Sequence, residues 1–251
     1  MIINKFLSLL NRYKTDSPTI TIVGVGPGDP SLLTIAAVDA IKKAKVIVFP
    51  ISDDNKKSFA AEIVNKYTKF KKNIPIIFPM ARKDFDPEEI WSNAVEKIVK
   101  FIKNSESVVL LCLGDTSIFA SSSNILRIIK HNYPEIITKT IPGISSLSAT
   151  AALNDFDLVK KGETLIIKEC PSSNSELTSL IKESRENKTV LAIMKVGKRW
   201  NLVRETLKKE DIINNSLVAI NVGMPNQIIQ YASRYEKNIM PYFSLILIRF
   251  D

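Results

Sequence analysis

The chain of 251 residues has only one histidine, His131, and only two cysteines, Cys112 and Cys170. The cysteines are far apart in sequence, and neither belongs to a Cys-x-x-Cys pair. This composition argues against a zinc site, a disulfide framework and a Ser-His or Cys-His catalytic pair. We therefore expect neither a bound metal nor a catalytic triad.

Long apolar segments are missing as well. The longest apolar runs, such as VIVFPI at residues 46–51 and SLILI at 244–248, have the length of strands, whereas a membrane helix needs about 18 apolar residues. Residues 1–18 contain a short apolar stretch without a small-residue cleavage pattern, so we interpret them as a basic N-terminal tail rather than a signal peptide. The sequence thus predicts a cytoplasmic protein that does not bind membranes.

Positive charge is in excess, with 35 Lys and Arg against 26 Asp and Glu and a net charge of +9. Such a surplus favours an anionic partner, which could be a nucleic acid, a phosphorylated ligand or a polycarboxylate. A lysine-rich solvated surface explains the same surplus, because long charged side chains are mostly exposed. Charge alone therefore does not choose among these partners.

Strand-like apolar runs alternate with helical patterns through residue 142, which is typical of α/β units around a largely parallel sheet. After that point the sequence has more strands per helix and shorter connections, which favours a mixed sheet. We predict an α/β fold with two domains, residues 19–142 and 143–251, that follow the tail of residues 1–18.

The stretch GVGPGDPSLLT, residues 24–34, follows the first predicted strand. A dinucleotide fingerprint would have a third glycine where this chain has Asp29, and no Gly-Lys-Ser/Thr of a P-loop follows Gly28. We interpret the stretch as a turn into a helix, with Asp29 as the N-cap and Pro30 in the first helical position. Its glycines, Gly26 and Gly28, would form either the backbone wall of a ligand cleft or simply a well-made βα turn.

Two further loops have the same character: LCLGDTSIF at residues 111–119 and IPGISSLSATAA at 141–152. Asp115 follows a buried strand, where its carboxylate could bind a ligand or cap the next helix. In the later loop, Ser145 or Ser146 is expected to cap a helix of small residues. Three polar loops at strand ends favour a common ligand cleft, because open α/β sheets bind ligands there.

Taken together with LAIMKVGK and GMPNQ, and in this order over about residues 19–251, these motifs resemble the tetrapyrrole (corrin/porphyrin) methylase family. With FPM at residues 78–80, they most resemble its branch that methylates precorrin-2 or cobalt-factor II at C-20. The resemblance implies two α/β domains with a ligand cleft between them and a homodimer. It also implies S-adenosylmethionine-dependent methylation of that tetrapyrrole in cobalamin biosynthesis.

The resemblance also implies site residues. Gly26, Gly28 and Asp29 would face the tetrapyrrole. Uroporphyrinogen methylases of the family have an acidic residue after the second strand, where this chain has Pro50, so we assign no catalytic base. The residues expected to contact S-adenosylmethionine are Pro27, Leu113, Gly114, Asp115, Ile118, Ser145, Ser146, Met194, Val222 and Gly223.

The substrate of that branch is a polycarboxylate, which would explain the net positive charge. Arg82, Lys195 and Lys198 lie near the motifs and are the candidate partners of its carboxylates. Two alternatives remain open: a ribosomal RNA ribose methyltransferase of the same superfamily, and a non-catalytic basic module that binds nucleic acid. The chain has no basic patch interleaved with aromatic residues, so we expect a tetrapyrrole partner rather than a nucleic acid.

Overall fold

The computed structural model describes residues 18–52, 57–78, 87–104 and 106–250. These residues form two compact units. The first unit comprises the described residues up to Val25 together with Leu33–Gly143, and the second comprises Gly26–Leu32 together with the residues from Ile144 onward. None of the helices in these ranges is long and apolar enough to cross a membrane.

The first unit is built on a sheet of five parallel strands in the order β3-β2-β4-β1-β5. The chain builds outward from β1 through β2 to β3, then returns so that β4 and β5 flank β1. The carboxyl ends of β1, β4 and β5 are therefore neighbours, which brings the loops that follow them to one edge. The elements are β1 (Thr19–Gly24), α1 (Ile35–Lys43), β2 (Val46–Ile51), α2 (Phe59–Thr68), β3 (Lys72–Ile77), α3 (Pro87–Lys103), β4 (Val108–Cys112), α4 (Ser122–Asn132) and β5 (Ile137–Ile141).

Helices cover both faces of this sheet, because its central strands are apolar on both sides. Leu110 of β4 packs in one hydrophobic cluster with Ile98 of α3 and Ile125 of α4. The next residue, Leu111, points to the opposite face and packs with Ile41 of α1. Every residue of β4 is buried, as expected for the interior of a parallel sheet.

The second unit has a mixed sheet in the order β6-β7-β10-β8-β9, in which only β6 and β7 pair in parallel. The mixed α/β fold predicted from the sequence is confirmed. The sequence pattern did not predict α6, whose apolar stripe is narrow, or the four-residue edge strand β9. The elements are α5 (Ser146–Ala152), β6 (Leu165–Glu169), α6 (Asn174–Glu186), β7 (Val190–Met194), α7 (Trp200–Lys209), β8 (Ser216–Ile220), β9 (Ile228–Tyr231) and β10 (Ser244–Ile248).

The predicted start of the first helix is wrong. Asp29 Oδ1 accepts a hydrogen bond from the Ser31 amide at 2.7 Å, but it opens only a 3-10 turn, Pro30–Leu32. The α-helix α1 begins five residues later than that cap position implies, because Thr34 is its N-cap and accepts from the Ala37 amide at 3.1 Å. Thr34 caps the helix in place of Asp29, because its hydroxyl is closer to the apolar stripe of α1.

Candidate active site

Three glycines meet at the carboxyl ends of β1, β4 and β5 in the first unit. A β-carbon on Gly24 would lie 2.5 Å from the Gly143 nitrogen and 2.9 Å from the Gly114 carbonyl oxygen. One on Gly143 would clash with the same Gly114 oxygen. The three loops can approach this closely only because these positions carry no side chain.

Gly114 differs from Gly24 and Gly143, because the space where its β-carbon would lie is open. Its φ is +74°, and a β-carbon built on it would meet no atom within 4 Å. The backbone of half-buried Gly114 is thus open on this side, and a ligand can approach it directly. Strand ends of this kind are where open α/β sheets bind ligands.

Asp115 links the loops after β4 and β5. Its Oδ1 accepts from the amide of Ser117 at 2.8 Å and also from the Ser117 hydroxyl. Its Oδ2 accepts from the amide of Gly143 at 3.1 Å. Although burial alone would raise the pKa of this carboxyl, the hydrogen bonds, led by those from Ser117, lower it below its ordinary value.

The helix-capping alternative for Asp115 is therefore wrong. Helix α4 begins after Ser121, which makes no side-chain capping hydrogen bond. Asp115 instead fastens one loop to another. Beneath it, the Cys112 thiol lies 3.6 Å from the Asp115 carbonyl oxygen, and burial raises the pKa of that thiol. Cys112 therefore stays protonated at neutral pH.

In the second unit, the later half of the opening loop packs against the turn after β8. A β-carbon on Gly28 would lie 2.7 Å from the Gly223 carbonyl carbon and 2.8 Å from the Val222 oxygen. Gly223 has a φ of +75°, and its amide donates to Gln227 Oε1 at 2.7 Å. The predicted residues Gly28, Val222 and Gly223 thus form one backbone contact.

Asp29 lies at the same contact, because a β-carbon on Gly223 would lie 2.7 Å from the Asp29 nitrogen. The side chain of Asp29 is exposed and is occupied by its bond to Ser31, which lowers its pKa. Gly26 adopts a φ of +77°, and Pro27, the next residue, is buried. In this region the loop therefore meets the turn after β8 through its backbone.

Ser145 is the N-cap of α5, which the sequence predicted for Ser145 or Ser146. Its hydroxyl accepts from the Ser148 amide at 3.0 Å, and the residue is buried. Ser146 is half-buried, and its carbonyl accepts from the Thr150 hydroxyl at 2.7 Å. Both serines therefore begin a thin helix that packs on the second sheet.

Met194 and Val222 pack in the same hydrophobic cluster as Leu147 of α5. Met194 is half-buried at the end of β7. In this cluster, α5 packs against β7 and β8. Two of the predicted adenosine contacts, Met194 and Val222, thus belong to one apolar cluster.

The predicted carboxylate partners have different environments. Lys195 Nζ lies 3.5 Å from Glu169 Oε2, so an acidic residue of the chain itself already faces it. Lys198 is exposed in the 3-10 turn Gly197–Arg199, and Arg82 lies outside the described residues. Sequence reasoning missed Glu169 and Arg199. The signals that could have identified them are an acidic residue at the end of a predicted strand and an arginine directly after MKVGK.

The predicted site residues divide between the units. Leu113, Gly114, Asp115 and half-buried Ile118 belong to the first unit, and the other described residues of the set belong to the second. Sequence reasoning also missed Gly143 as the glycine that completes the first contact. The Pro-Gly pair after β5 was the signal that could have identified it.

Comparisons with known proteins agree with this fold. A family model described as Tetrapyrrole (Corrin/Porphyrin) Methylases matches residues 19–236. A relative from Methanocaldococcus jannaschii, named probable cobalt-precorrin-2 C(20)-methyltransferase, is 30% identical over 84% of this chain and 93% of its own length. Another from the same organism, named cobalt-precorrin-4 C(11)-methyltransferase, is 28% identical over 87% of this chain and 93% of its own length.

A solved structure of a cobalamin biosynthetic enzyme, cobalt precorrin-4 methyltransferase, has a TM-score of 0.69 to this chain. It covers 91% of this chain and 93% of its own chain at 18% identity, so the likeness concerns the fold. The family model, in contrast, matches most of the sequence directly. The chain therefore belongs to the tetrapyrrole (corrin/porphyrin) methylase family and is a C-methyltransferase.

Proposed function

We propose that this chain transfers a methyl group from S-adenosylmethionine to C-20 of precorrin-2, or of its cobalt-containing counterpart cobalt-factor II, in cobalamin biosynthesis. The observation that carries the proposal is the similarity, over 84% of this chain and 93% of the relative, to a protein named as a probable enzyme of that kind. The relative named for C-11 methylation is 28% identical over 87% of this chain. The position of the methyl group is therefore what an experiment must determine.

The donor site we propose follows the loops described above. Open space beside Gly114 fits a ligand that contacts the backbone, and the half-buried Met194 offers an apolar surface to an adenine ring. Asp115 would act mainly by holding the loop of Gly143 in place. The residues proposed to contact S-adenosylmethionine are Pro27, Leu113, Gly114, Asp115, Ile118, Ser145, Ser146, Met194, Val222 and Gly223.

The donor supplies an electrophilic methyl group on a sulfonium. The protein must hold the acceptor carbon in line with that bond and exclude water, and such positioning can account for much of the rate. The Cys112 thiol has a raised pKa because it is buried. The thiol therefore stays neutral near pH 7.

A C-20 carbon that gains a methyl group must release a proton, and we assign that proton to no residue. Asp29 and Asp115 are the carboxylates of the glycine loops. Hydrogen bonds occupy both and lower the pKa of each. Such carboxylates are poor bases.

The acceptor we propose is a polycarboxylate, to which Lys195, Lys198 and Arg82 would offer positive charge. Gly26, Gly28 and Asp29 would border it through the backbone of the opening loop. The alternative of a non-catalytic basic module is wrong, because the chain belongs to a methylase family. A ribosomal RNA acceptor is disfavoured, because the relatives described above are named for tetrapyrroles.

The test is methyl transfer from labelled S-adenosylmethionine under anaerobic conditions. Precorrin-2, cobalt-factor II and cobalt-precorrin-4 are offered in parallel, with total RNA as a further acceptor, and the labelled carbon is located by NMR. Label at C-20 of either early substrate supports the proposal and identifies the preferred form. Label at C-11 of cobalt-precorrin-4, or in RNA, would overturn it.

We further propose a cytoplasmic location, as the sequence analysis predicts, and a homodimer, as the sequence resemblance implies. Light scattering on the purified chain measures its mass in solution directly. A mass of two chains at micromolar concentration is expected, and a monomer at that concentration would contradict the dimer. Neither result bears on the methyl acceptor.

A further inference from the structure

Two cations and one carboxylate lie together at the carboxyl ends of β6 and β7 in the second unit. Glu169 is the last residue of β6, and Lys195 follows β7 directly. Lys195 Nζ lies 3.5 Å from Glu169 Oε2, and Arg199 Nη2 lies 3.7 Å from Glu169 Oε1. We call these three residues the Glu169 cluster. Parallel pairing of β6 with β7 brings them together, since Glu169 is opposite Met194 in register.

The turn that carries the two cations is fastened independently of Glu169. Arg199 Nη2 donates to the Lys195 carbonyl at 3.2 Å, and the Gly197 amide donates to Ser244 Oγ at 3.0 Å. Lys195 adopts a φ of +57°, which is uncommon for a residue with a side chain. Left-handed strain of this kind persists where surrounding structure fixes it, and it is concentrated at functional sites.

The contacts of Glu169 with the two cations are weak. At 3.5 and 3.7 Å they are longer than the contacts of Arg127 Nη2 with the two carboxylate oxygens of Glu88, which are both 2.8 Å. The Glu169 side chain is 51% exposed, against 27% for Lys195 and 35% for Arg199. An exposed, loosely held carboxylate contributes little to stability and can be replaced by another anion.

The charges of the Glu169 cluster also affect the pKa of the Tyr242 phenol. Burial raises the pKa of its phenol, and the charge of Glu169 raises it further, whereas Arg199 lowers it. The phenol therefore stays protonated near neutral pH and lies within electrostatic reach of both charges. The surroundings of the two cations thus include a neutral hydroxyl group as well as a carboxylate.

We propose that Lys195 and Arg199 form a binding site for a carboxylate of the methyl acceptor, and that Glu169 occupies this site until an acetate or propionate of the acceptor displaces it. The identity of the ligand rests on the proposed function. A carboxylate of the acceptor fits better than that of S-adenosylmethionine, because the ammonium and sulfonium groups give that donor a net positive charge. Two cations repel such a molecule and attract a polycarboxylate.

The test compares Glu169→Gln with Arg199→Gln. Binding of uroporphyrin III, a polycarboxylate tetrapyrrole, is followed by quenching of its fluorescence, and methyl-transfer kinetics give KM for donor and acceptor separately. Glu205→Gln is the matched control, because Glu205 lies 3.5 Å from Arg204 and 3.2 Å from Lys208 on α7. It removes the same charge from a similar exposed cluster.

We expect Glu169→Gln to tighten porphyrin binding about threefold, and Arg199→Gln to weaken it about fivefold, as is typical of exposed charge pairs. The acceptor KM should move in the same directions, with donor KM and kcat unchanged. In the double variant with Arg199→Gln, the Glu169→Gln substitution should change porphyrin binding much less than it does alone. Arg199→Lys should bind weakly as well, because lysine lacks the planar fork, and it serves if Arg199→Gln does not fold.

The proposal is overturned if Glu169→Gln weakens binding or leaves it unchanged, since Glu169 would then merely brace the turn. It is also overturned if Glu205→Gln tightens binding equally, or if donor KM moves as much as acceptor KM. A wild-type protein that binds porphyrin as expected but methylates no tetrapyrrole would contradict the proposed function alone. Methylation at C-20 by the wild type, together with variants whose porphyrin binding and acceptor KM are unchanged, would contradict the carboxylate site alone.

Discussion

The carboxylate of Asp115 accepts a hydrogen bond from the backbone amide of Gly143 at 3.1 Å. The two residues are 28 positions apart in sequence, and the bond joins the loops after β4 and β5 across the end of β1. Gly114, which we propose as a donor contact, immediately precedes Asp115. The same carboxylate therefore sets the position of the backbone that the methyl donor would touch.

Replacing Asp115 should weaken donor binding through loop position. In Asp115→Ala the bonds to Ser117 and Gly143 are lost, and we expect a loss of about 1–3 kcal/mol in the free energy of unfolding. The affinity for S-adenosylmethionine should also fall by about tenfold, which corresponds to about 1.4 kcal/mol of binding free energy. Calorimetric titration measures the affinity, and hydrogen exchange at the Gly143 amide should become faster.

Ser173→Ala is the control for this variant. Ser173 caps α6 in the second unit by accepting from the Glu176 amide at 3.3 Å, so its loss reduces stability without touching the glycine loops. Its affinity for the donor should equal that of the wild type. If Asp115→Ala binds the donor as tightly as Ser173→Ala does, the positioning role of Asp115 is wrong.

The pKa of Asp115 predicts how stability depends on acid. Its pKa lies below the ordinary value of 3.8, so folding favours the charged form. The stabilising contribution is therefore complete above the unfolded pKa and is lost as pH falls through the lower, folded value. We expect the stability difference between wild type and Asp115→Asn to be constant from neutral pH to about pH 5 and to narrow below about pH 4.

Urea denaturation at a series of pH values measures that difference. Asparagine cannot titrate, and its amide nitrogen cannot accept from Gly143, so the variant removes both the charge and one bond. A difference that stays constant down to about pH 3, below the ordinary pKa of 3.8, would contradict the prediction.

The loops at the strand ends could be predicted from sequence, because glycine, proline and aspartate after an apolar run favour a turn into a helix. The partner of Asp115 could not. Its bond to Gly143 depends on β4 and β5 lying on either side of β1, and alternating strands and helices do not specify that order. The same carboxylate was therefore equally compatible with a ligand contact and a helix cap.

The Glu169 cluster shows a similar limit. Lys195 was recognised as a cation beside a motif, but Glu169 belongs to a different strand, 26 positions earlier. The two meet only because β6 and β7 pair in parallel register. The edge strand β9 was missed for a different reason: its four residues are too few to show an alternating pattern.

The glycine contact of the first unit should tolerate no side chain at Gly143. An added β-carbon would clash with the Gly114 oxygen and lie 2.7 Å from the Gly24 carbonyl carbon. Both neighbours are backbone atoms that cannot rotate away. We expect Gly143→Ala to lower the free energy of unfolding by about 3 kcal/mol or more, measured by urea denaturation. A loss below about 1 kcal/mol would mean that the loops separate easily.

Gly114→Ala and Gly162→Ala form a matched pair that separates ligand binding from folding. Gly114 has a φ of +74° and Gly162 a φ of +87°, and a β-carbon on either would meet nothing within 4 Å. Each substitution should therefore cost about 1–2 kcal/mol of folding stability through backbone strain alone. The two glycines differ in location, because Gly162 is exposed and lies outside the loops that we propose to bind the donor.

Only Gly114→Ala should impair donor binding, since its methyl group would fill the open space beside the backbone. We expect a rise of tenfold or more in the dissociation constant for S-adenosylmethionine, about 1.4 kcal/mol, in that variant. Gly162→Ala should bind as the wild type does, at the same small loss of melting temperature. Equal donor affinity in the two variants would show that the space beside Gly114 is not where the methyl donor lies.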